Sequence, residues 1–291
     1  MAKRKFKPNV VTWNDIDDQS SLANTDPSLN DYLVLAEGDS WFTLGGIPTS
    51  NLLFSLRFKK MTMILNCGSP GDTIKHVSDI ENNHLLLKAL SPDGYKWNLI
   101  LLSGGGNDLI DEVDKILITK EERSLKPVKH TADYFDKKKL RRLIKDIQDG
   151  YRRIVALRDT DGSLAKHKPV LVHTYDYATP RNSPTRFFTI PTLGPWLYKA
   201  VTKAEIPKDD WIAVSMFLTD QLAEGLLALQ KGKNKIKKFY VVDTRGTLKM
   251  AALNTTGDNG DWLNEIHPNS DGYKKIAKVM EKSIRSLLKK R

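Results

Sequence analysis

The chain has 291 residues, of which 40% are hydrophobic and 28% are charged, and its formal net charge is +11. This length and composition fit one large α/β domain or two small ones with a sizeable core. No apolar run approaches the roughly 20 residues that cross a bilayer, so we expect no transmembrane segment. The basic first residues lack an apolar stretch behind them, and Cys67 is the single cysteine, so we expect a cytoplasmic protein without disulfides. Export by a route without a cleaved signal stays open.

The basic excess is spread along the chain, and no recognisable nucleic-acid-binding module accompanies it. We therefore expect no specific nucleic acid partner. A solvated basic surface, attracted to acidic polymers or membranes, is the interpretation that this pattern favours.

Short apolar runs alternate with amphipathic stretches, a pattern typical of a parallel sheet with helices on both faces. Residues 1–30 are polar and predict an N-terminal arm, followed by a single domain over residues 31–291. Three apolar stripes at helical spacing predict core-facing helices within residues 140–155, 211–229 and 276–288. Five apolar runs without polar alternation predict strands covered on both sides, at residues 32–36, 61–66, 98–103, 169–174 and 238–243.

Two connections are longer than a compact domain needs. Residues 111–136 are highly charged, whereas residues 175–209 carry aromatic side chains among several prolines. Long loops over strand ends are often functional, so we expect the second to shape or cover a substrate site, with a docked structural insertion as the alternative. Its aromatic residues are Tyr175, Tyr177, Phe187, Phe188, Trp196 and Tyr198.

Polar and glycine-rich motifs follow three successive predicted strands. Gly-Asp-Ser at 38–40 follows the first strand, a loop with Gly68 follows the second, and Gly-Gly-Asn-Asp at 105–108 follows the third. Because the carboxyl ends of parallel strands meet at one edge of a sheet, these residues are predicted to lie together. His267 returns to that edge just before the last helix. A nucleophile, a base and oxyanion donors are what acyl transfer requires.

In order and spacing, these motifs resemble the four sequence blocks of the SGNH (GDSL-type) hydrolases, which are named for their Ser, Gly, Asn and His. The resemblance implies a three-layer α/β/α fold with a mostly parallel, five-stranded, flavodoxin-like sheet, and serine hydrolysis of esters. It implies Ser40 as the nucleophile and His267 as the general base. Ser40 N–H, Gly68 N–H and the Asn107 side-chain amide would form the oxyanion hole.

One position departs from the family pattern. An aspartate usually stands three residues before the histidine, where it orients the imidazole and stabilises its cation, but here that residue is Asn264. Three explanations are open. Asp261, one turn further back, contacts the His267 ring in place of the usual acid; or Asn264 or a backbone carbonyl is sufficient in a Ser-His dyad; or the site is catalytically weakened. We favour a working dyad with an auxiliary acceptor.

Other side chains near the same edge are candidates for binding. His173, Asp176 and Tyr177 follow the fourth strand and are predicted to contact substrate, although a histidine satisfied by its neighbours is the alternative for His173. Cys67 is expected to be a small buried residue, and Glu265 to face solvent or cap the last helix region. The His and carboxylate spacings fit no metal motif and no phosphate loop appears, so we predict no cofactor and no metal.

Three functions are therefore open. The leading hypothesis is a serine esterase with a small-molecule or polymer-linked ester as substrate, whether lipid, thioester or O-acylated carbohydrate. The second is a catalytically weakened binding module for a polyanionic or acylated ligand, which Asn264 would explain. The third is an enzyme drawn to polyanionic material by its surface charge.

Overall fold

The computed structural model of the protein describes residues 5–18, 25–43, 50–79, 82–92, 94–125, 127–187 and 190–289. Phe188 of the predicted aromatic connection lies outside these residues. The strands are β1 Asn9–Val11, β2 Tyr32–Gly38, β3 Thr62–Asn66, β4 Leu99–Ser103, β5 Val170–His173, β6 Thr185–Phe187, β7 Ile190–Leu193 and β8 Phe239–Val242. The α-helices are α1 Trp13–Asp17, α2 Leu52–Ser55, α3 Ile74–Val77, α4 His84–Leu90, α5 Gly106–Ile116, α6 Lys120–Leu125, α7 Lys137–Arg158, α8 Leu197–Lys203, α9 Trp211–Ala228 and α10 Ser270–Lys289.

The described strands form a parallel sheet in the order β1-β3-β2-β4-β5-β8, with β6 and β7 as a separate antiparallel pair. The five predicted strands are present, and the predicted α/β fold is confirmed. A sixth strand was not predicted: Asn9–Val11 pairs with Met63–Leu65 of β3. The predicted N-terminal arm therefore joins the sheet over these residues, and a three-residue strand is too short to leave a recognisable apolar run.

Helices cover both faces of the sheet, as the three-layer fold requires. On one side α7 packs against α3, α5 and α9, and on the other α10 packs against α2 and the strands β4 and β8. The three predicted helical stripes correspond to α7, α9 and α10. Because apolar side chains on both faces of β2, β3 and β4 are buried, these strands carry no polar alternation.

The two long connections contain secondary structure. Much of the first is helical, since α5 continues to Ile116 and α6 follows. The second contains the β6–β7 pair and α8. No helix among the described residues is both long enough and apolar enough to span a membrane.

Two glycines allow the strand ends to meet closely. A Cβ atom on Gly38, the last residue of β2, would lie 2.2 Å from the Ser103 carbonyl oxygen, and one on Gly68 would lie 2.4 Å from the Gly38 carbonyl oxygen. Real Cβ atoms essentially never approach so closely. The loops after β2, β3 and β4 therefore come together at one edge of the sheet because neither glycine has a side chain.

Candidate active site

Ser40 and His267 are brought together at this edge. Ser40 lies in the tight turn after β2, where Phe42 N–H donates to the Asp39 carbonyl oxygen. Its Oγ is 2.7 Å from Nε2 of His267, although the two residues are 227 positions apart in the sequence. Both are largely buried, with 9% and 8% of their surface exposed. This distance is the one expected between a nucleophile and its general base.

The side-chain oxygen of Asn264 fixes the orientation of His267. Asn264 Oδ1 lies 3.1 Å from His267 Nδ1 and also accepts the backbone N–H groups of Ile266 and His267, at 3.1 and 2.9 Å. These two backbone donors require an oxygen at this position, so the amide cannot present its NH2 group to the ring. Nδ1 must then carry the proton, and Nε2 is left free to accept the Ser40 hydroxyl proton.

Burial lowers the pKa of His267 to about 4. A carboxylate beside Nδ1 would counteract this shift by favouring the imidazolium, but the neutral amide of Asn264 does not. Thr185 Oγ1, 3.3 Å from Nδ1, is likewise neutral. The ring is therefore neutral, and able to accept a proton, well below pH 6.

Asp261 does not take the role of the missing acid. Its carboxylate forms an ion pair with Lys275 of α10, at 2.6 Å, and accepts the backbone N–H of Lys249, also at 2.6 Å. The prediction that Asp261 reaches in assumed a helical turn before His267. Instead this segment is irregular and includes an isolated bridge between Trp262 and Pro268.

The remaining predicted oxyanion donors lie on the loops beside Ser40. Asn107, in the first turn of α5, lines the same pocket as Ser40, and its Nδ2 donates one hydrogen bond to the Asp72 carbonyl oxygen at 2.8 Å. An amide NH2 has two hydrogens, so one remains for a substrate oxygen. The N–H of Gly68 donates to Asn66 Oδ1 at 3.1 Å. An oxyanion bound at Gly68 would take the place of that Asn66 oxygen.

A network of buried hydrogen bonds surrounds Asp39, the residue before Ser40. Asp39 accepts hydrogen bonds from Trp41 N–H at 3.0 Å, from the Ser103 hydroxyl at 2.8 Å, and from the Tyr175 hydroxyl. Burial raises the pKa of Asp39 to about 6, a rise that these three donors oppose. Because Asp39 directly precedes Ser40, the network holds the turn that carries Ser40.

His173 belongs to this network, and the prediction that it contacts substrate is wrong. It is completely buried and stacks on Trp41, with ring centroids 5.2 Å apart. Nδ1 accepts the backbone N–H of Tyr175 at 3.3 Å, so Nε2 carries the proton and faces the Ser103 hydroxyl at 2.9 Å. Burial also lowers the pKa of His173 to about 3. The alternative interpretation, a histidine satisfied by its neighbours, describes it.

Asp176 and Tyr177 do not offer free polar groups to a substrate. Asp176 lines the pocket beside Ser40, but its carboxylate accepts the backbone N–H groups of Tyr177 and of residues 246–248. Tyr177 donates its hydroxyl to Asp220 at 2.8 Å. Both side chains thus brace neighbouring loops. Tyr177 is not part of the pocket wall, whereas the contact of Asp176 with substrate stays a prediction.

Trp41 joins the loop that carries Ser40 directly to the loop that carries His267. Its indole Nε1 donates to the carbonyl oxygen of Ile266 at 3.2 Å. The indole ring also packs against Tyr175, Trp262 and Tyr273. The spacing between the two loops is therefore maintained by contacts that do not include the Ser40 or His267 side chains.

No group of three or more His, Cys, Asp or Glu side chains within the described part of the chain is arranged to hold a metal. Cys67 is buried, as expected, and its thiol lies 3.8 Å from the Leu85 carbonyl oxygen. Burial raises the pKa of this thiol far above its ordinary value. It therefore stays protonated and is unsuited to be a nucleophile.

The family model for GDSL-like lipases and acylhydrolases matches residues 42–280. The chain belongs to the GDSL-like lipase/acylhydrolase family. The predicted resemblance is thus confirmed. Gly68, Asn107 and His267 lie inside the matched region, whereas Ser40 lies two residues before it.

Several solved structures are similar to this GDSL-family chain. The aryl esterase of M. smegmatis has 15% sequence identity and a TM-score of 0.48, covering 88% of this chain and 99% of its own. A carbohydrate acetylesterase family member from Sinorhizobium meliloti has 13% identity and a TM-score of 0.49, and the match covers 89% of this chain and 99% of the other. The extracellular lipase of Streptomyces rimosus has 14% identity and a TM-score of 0.49, and the match covers 86% of this chain and 99% of the lipase chain. No curated protein sequence matches the chain significantly.

Glu265 of this GDSL-family chain was expected to face solvent or to cap the last helix region, and both predictions are wrong. The side chain is completely buried and accepts four backbone N–H groups. Three belong to the start of α8, namely Trp196, Leu197 and Tyr198, and the fourth is that of Arg181. Trp196 stands at the N-cap of α8 without a capping hydrogen bond of its own. The absence of a capping residue there was the one sequence signal that an outside acceptor was needed.

Arg181 was not singled out from the sequence either. Its guanidinium is buried and donates to the carbonyl oxygens of Gly257 at 2.6 Å, Asn264 at 2.7 Å and Trp262 at 3.3 Å. Together with Glu265, it anchors the irregular segment that ends at His267. Sequence periodicity carries no signal for such an anchor, because its partners are carbonyl groups of the main chain.

Replacing Glu265 with glutamine is expected to lower the free energy of unfolding by about 2 to 3 kcal/mol. Burial raises the pKa of Glu265 to about 7, so at about pH 8.5 the carboxylate is ionised and both oxygens accept hydrogen bonds. Glutamine would place an NH2 group against two of the backbone donors. Denaturant unfolding at that pH measures the change.

Glu205→Gln is the matched control, since Glu205 is an exposed residue paired with Lys120, and we expect it to change stability by less than about 1 kcal/mol. Equal stability of Glu265→Gln and wild type would contradict the anchoring role.

Proposed function

We propose that this chain is a serine esterase that works through a Ser40–His267 dyad. The observation that carries the proposal is the 2.7 Å hydrogen bond between Ser40 Oγ and His267 Nε2, with the ring tautomer set by Asn264. Membership of the GDSL-like lipase/acylhydrolase family supports an ester as the substrate.

The reaction proceeds in two halves. Ser40 Oγ attacks the acyl carbonyl carbon while Nε2 of His267 takes the hydroxyl proton. The protonated ring then gives this proton to the oxygen of the leaving alcohol, and an acyl-serine remains. A water molecule repeats the sequence: His267 takes its proton, the hydroxide attacks the acyl carbon, and the proton returns to Ser40 as the acid leaves.

The negative charge that develops on the carbonyl oxygen needs hydrogen-bond donors. The second N–H of Asn107 Nδ2 and the backbone N–H groups of Ser40 and Gly68 are the proposed donors. Asn107 and Gly68 lie on the loops that the glycines of the strand ends bring beside Ser40. Each donor of this kind typically accelerates the reaction by roughly 100 to 1000-fold.

Asn264 replaces the usual acid as an orienting group without charge. Its oxygen holds Nδ1–H, and the backbone N–H groups of Ile266 and His267 prevent the amide from turning over. In this way the chain keeps the productive tautomer, although it gives less stabilisation to the imidazolium that forms during catalysis. The alternative of a non-catalytic binding module is less well supported, because its only argument was the loss of this acid.

Covalent labelling with a fluorophosphonate probe tests this function. We expect wild type to be labelled at Ser40, as located by mass spectrometry of peptides, and Ser40→Ala to be unlabelled. Ser69→Ala is the matched control, since Ser69 is an exposed serine on the neighbouring loop and its variant should be labelled as wild type is. Absence of labelling in wild type, or labelling at another residue, would refute the dyad and favour the binding module.

A further inference from the structure

A pocket of about 70 Å³ begins at Ser40 and runs between α5, α8 and α9. Its apolar walls come from all three helices. On α5 they are Leu109 and Ile110, on α8 Leu197, and on α9 Leu218 and Leu222. An apolar pocket that starts at the nucleophile is suited to the hydrocarbon part of an ester.

Apart from Ser40, Asn107 and Trp262, the polar side chains in the pocket wall already have hydrogen-bond partners within the protein. Ser215 donates its hydroxyl to the Ala178 carbonyl oxygen at 2.6 Å, and Thr219 donates to the Ser215 carbonyl oxygen at 3.2 Å. The Asp176 carboxylate accepts backbone N–H groups, and the Tyr175 hydroxyl donates to Asp39. A sugar placed here would regain few of the hydrogen bonds that its hydroxyl groups make to water, because Ser215 and Thr219 have only their acceptor lone pairs left, and this disfavours a carbohydrate in the pocket.

Trp262 differs from these paired groups. Its indole nitrogen has no hydrogen-bond partner, but the atom lies beneath the surface of the pocket wall. It is therefore out of reach of a ligand that occupies the pocket as it stands.

The position of the reacting groups indicates which part of the ester lies in the pocket. Ser40 and Asn107 line it, but the His267 ring does not. His267 must reach the oxygen of the leaving alcohol, so the alcohol belongs on the side of that ring. The substituent on the other side of the carbonyl carbon, beside Asn107, is the acyl chain.

The volume of the pocket limits the length of chain that it can enclose. One water molecule needs roughly 10 to 15 Å³ of such space, so the pocket of about 70 Å³ holds about five to seven groups of this size. A methylene group is similar in size to a water molecule. Building on the proposed esterase function, we propose that the enzyme is selective for the acyl part of its substrate and prefers aliphatic acyl chains of about four to six carbons.

The test is a comparison of two ester series with purified wild type. One series keeps the p-nitrophenyl leaving group and varies the acyl chain from about two to twelve carbons, and the other keeps an acetyl group and varies the alcohol over the same range. We expect kcat/KM in the acyl series to peak at about four to six carbons, at least about tenfold above acetyl and above decanoyl. In the alcohol series no such peak is expected.

Two variants enlarge the pocket from opposite walls. Leu218→Ala on α9 and Ile110→Ala on α5 should each shift the acyl optimum to chains about two carbons longer. Ile110 is only partly buried, so its variant should fold even if Leu218→Ala does not. Leu125→Ala is the control, because this leucine is 88% exposed and lies outside the pocket wall.

The results separate the failure of this inference from failure of the proposed function. A flat acyl profile, a peak at two carbons, or a peak that appears in the alcohol series would overturn the acyl assignment while Ser40 is still labelled by a fluorophosphonate. An optimum unchanged in Ile110→Ala would do the same. Loss of both hydrolysis and labelling would instead refute the esterase itself.

Discussion

Ser40→Ala is expected to lower kcat for ester hydrolysis by at least about 10⁴-fold, and by about 10⁶-fold if no other group activates water. The reason is that Ser40 Oγ is the atom that would form the acyl bond, and within the described residues no other hydroxyl forms a hydrogen bond with His267 Nε2. The remaining rate would come from the oxyanion donors acting on a water-mediated reaction. Steady-state hydrolysis of p-nitrophenyl butyrate measures it.

The same variant should fold normally. Ser40 is in a turn held by Asp39 and by the Trp41 indole, and neither contact uses the Ser40 hydroxyl. Unchanged circular dichroism and a melting temperature close to wild type would therefore accompany the loss of activity. Ser69→Ala should retain the wild-type rate. If Ser40→Ala kept more than about a tenth of the activity, the nucleophile would have to be another residue.

The second large effect is expected at Asn264. Asn264→Ala removes the oxygen that holds His267 Nδ1–H and leaves the ring free to rotate or adopt the other tautomer. We expect kcat to fall by about 10³ to 10⁴-fold, which is the scale of loss when a catalytic histidine is no longer oriented. Asn234→Ala, at an exposed asparagine, is the control and should leave kcat unchanged. A loss of less than tenfold would show that Asn264 does not orient the base.

Asn264→Asp separates orientation from charge. In wild type, the low pKa of His267, about 4, keeps the base neutral, so kcat/KM should fall only as the pH drops below about 5. A carboxylate at position 264 favours the imidazolium, so the pKa of His267 rises. The fall of kcat/KM on the acidic side of its pH profile then moves to higher pH by about 1 to 3 pH units. Above that pH range, the stronger base should raise kcat. A fall that stays at the wild-type pH would contradict this account of how Asn264 acts.

The sequence was informative wherever function depends on the ends of parallel strands. Ser40, Gly68 and Asn107 follow β2, β3 and β4, which are neighbours in the sheet, and this adjacency brings them together irrespective of the long connections. Apolar runs and motif order were sufficient to predict it. The departure at Asn264 was also visible, and the predicted auxiliary acceptor corresponds to its side-chain oxygen.

The sequence was uninformative where a polar side chain is buried against main-chain groups. Glu265 and Arg181 satisfy backbone donors and acceptors from segments far away in the chain, so no local pattern marks them. His173 ends a strand like the catalytic motifs, but its ring turns into the core towards Ser103. Asp261 likewise turns towards Lys275. Side-chain direction at irregular positions is a property of packing, which a single sequence does not display.

The indole bridge from Trp41 to Ile266 holds the Ser40 and His267 loops together without using the side chain of either residue. Proton transfer depends on two loops clamped to each other through aromatic packing and main-chain atoms. The apolar wall of the proposed acyl pocket is built by side chains of α5, α8 and α9, and also by Trp41 and Ile266 of the bridge itself. Substituting a leucine or isoleucine of α5 or α9 is therefore expected to change which acyl chain fits the proposed pocket while the bridge between the two loops stays in place.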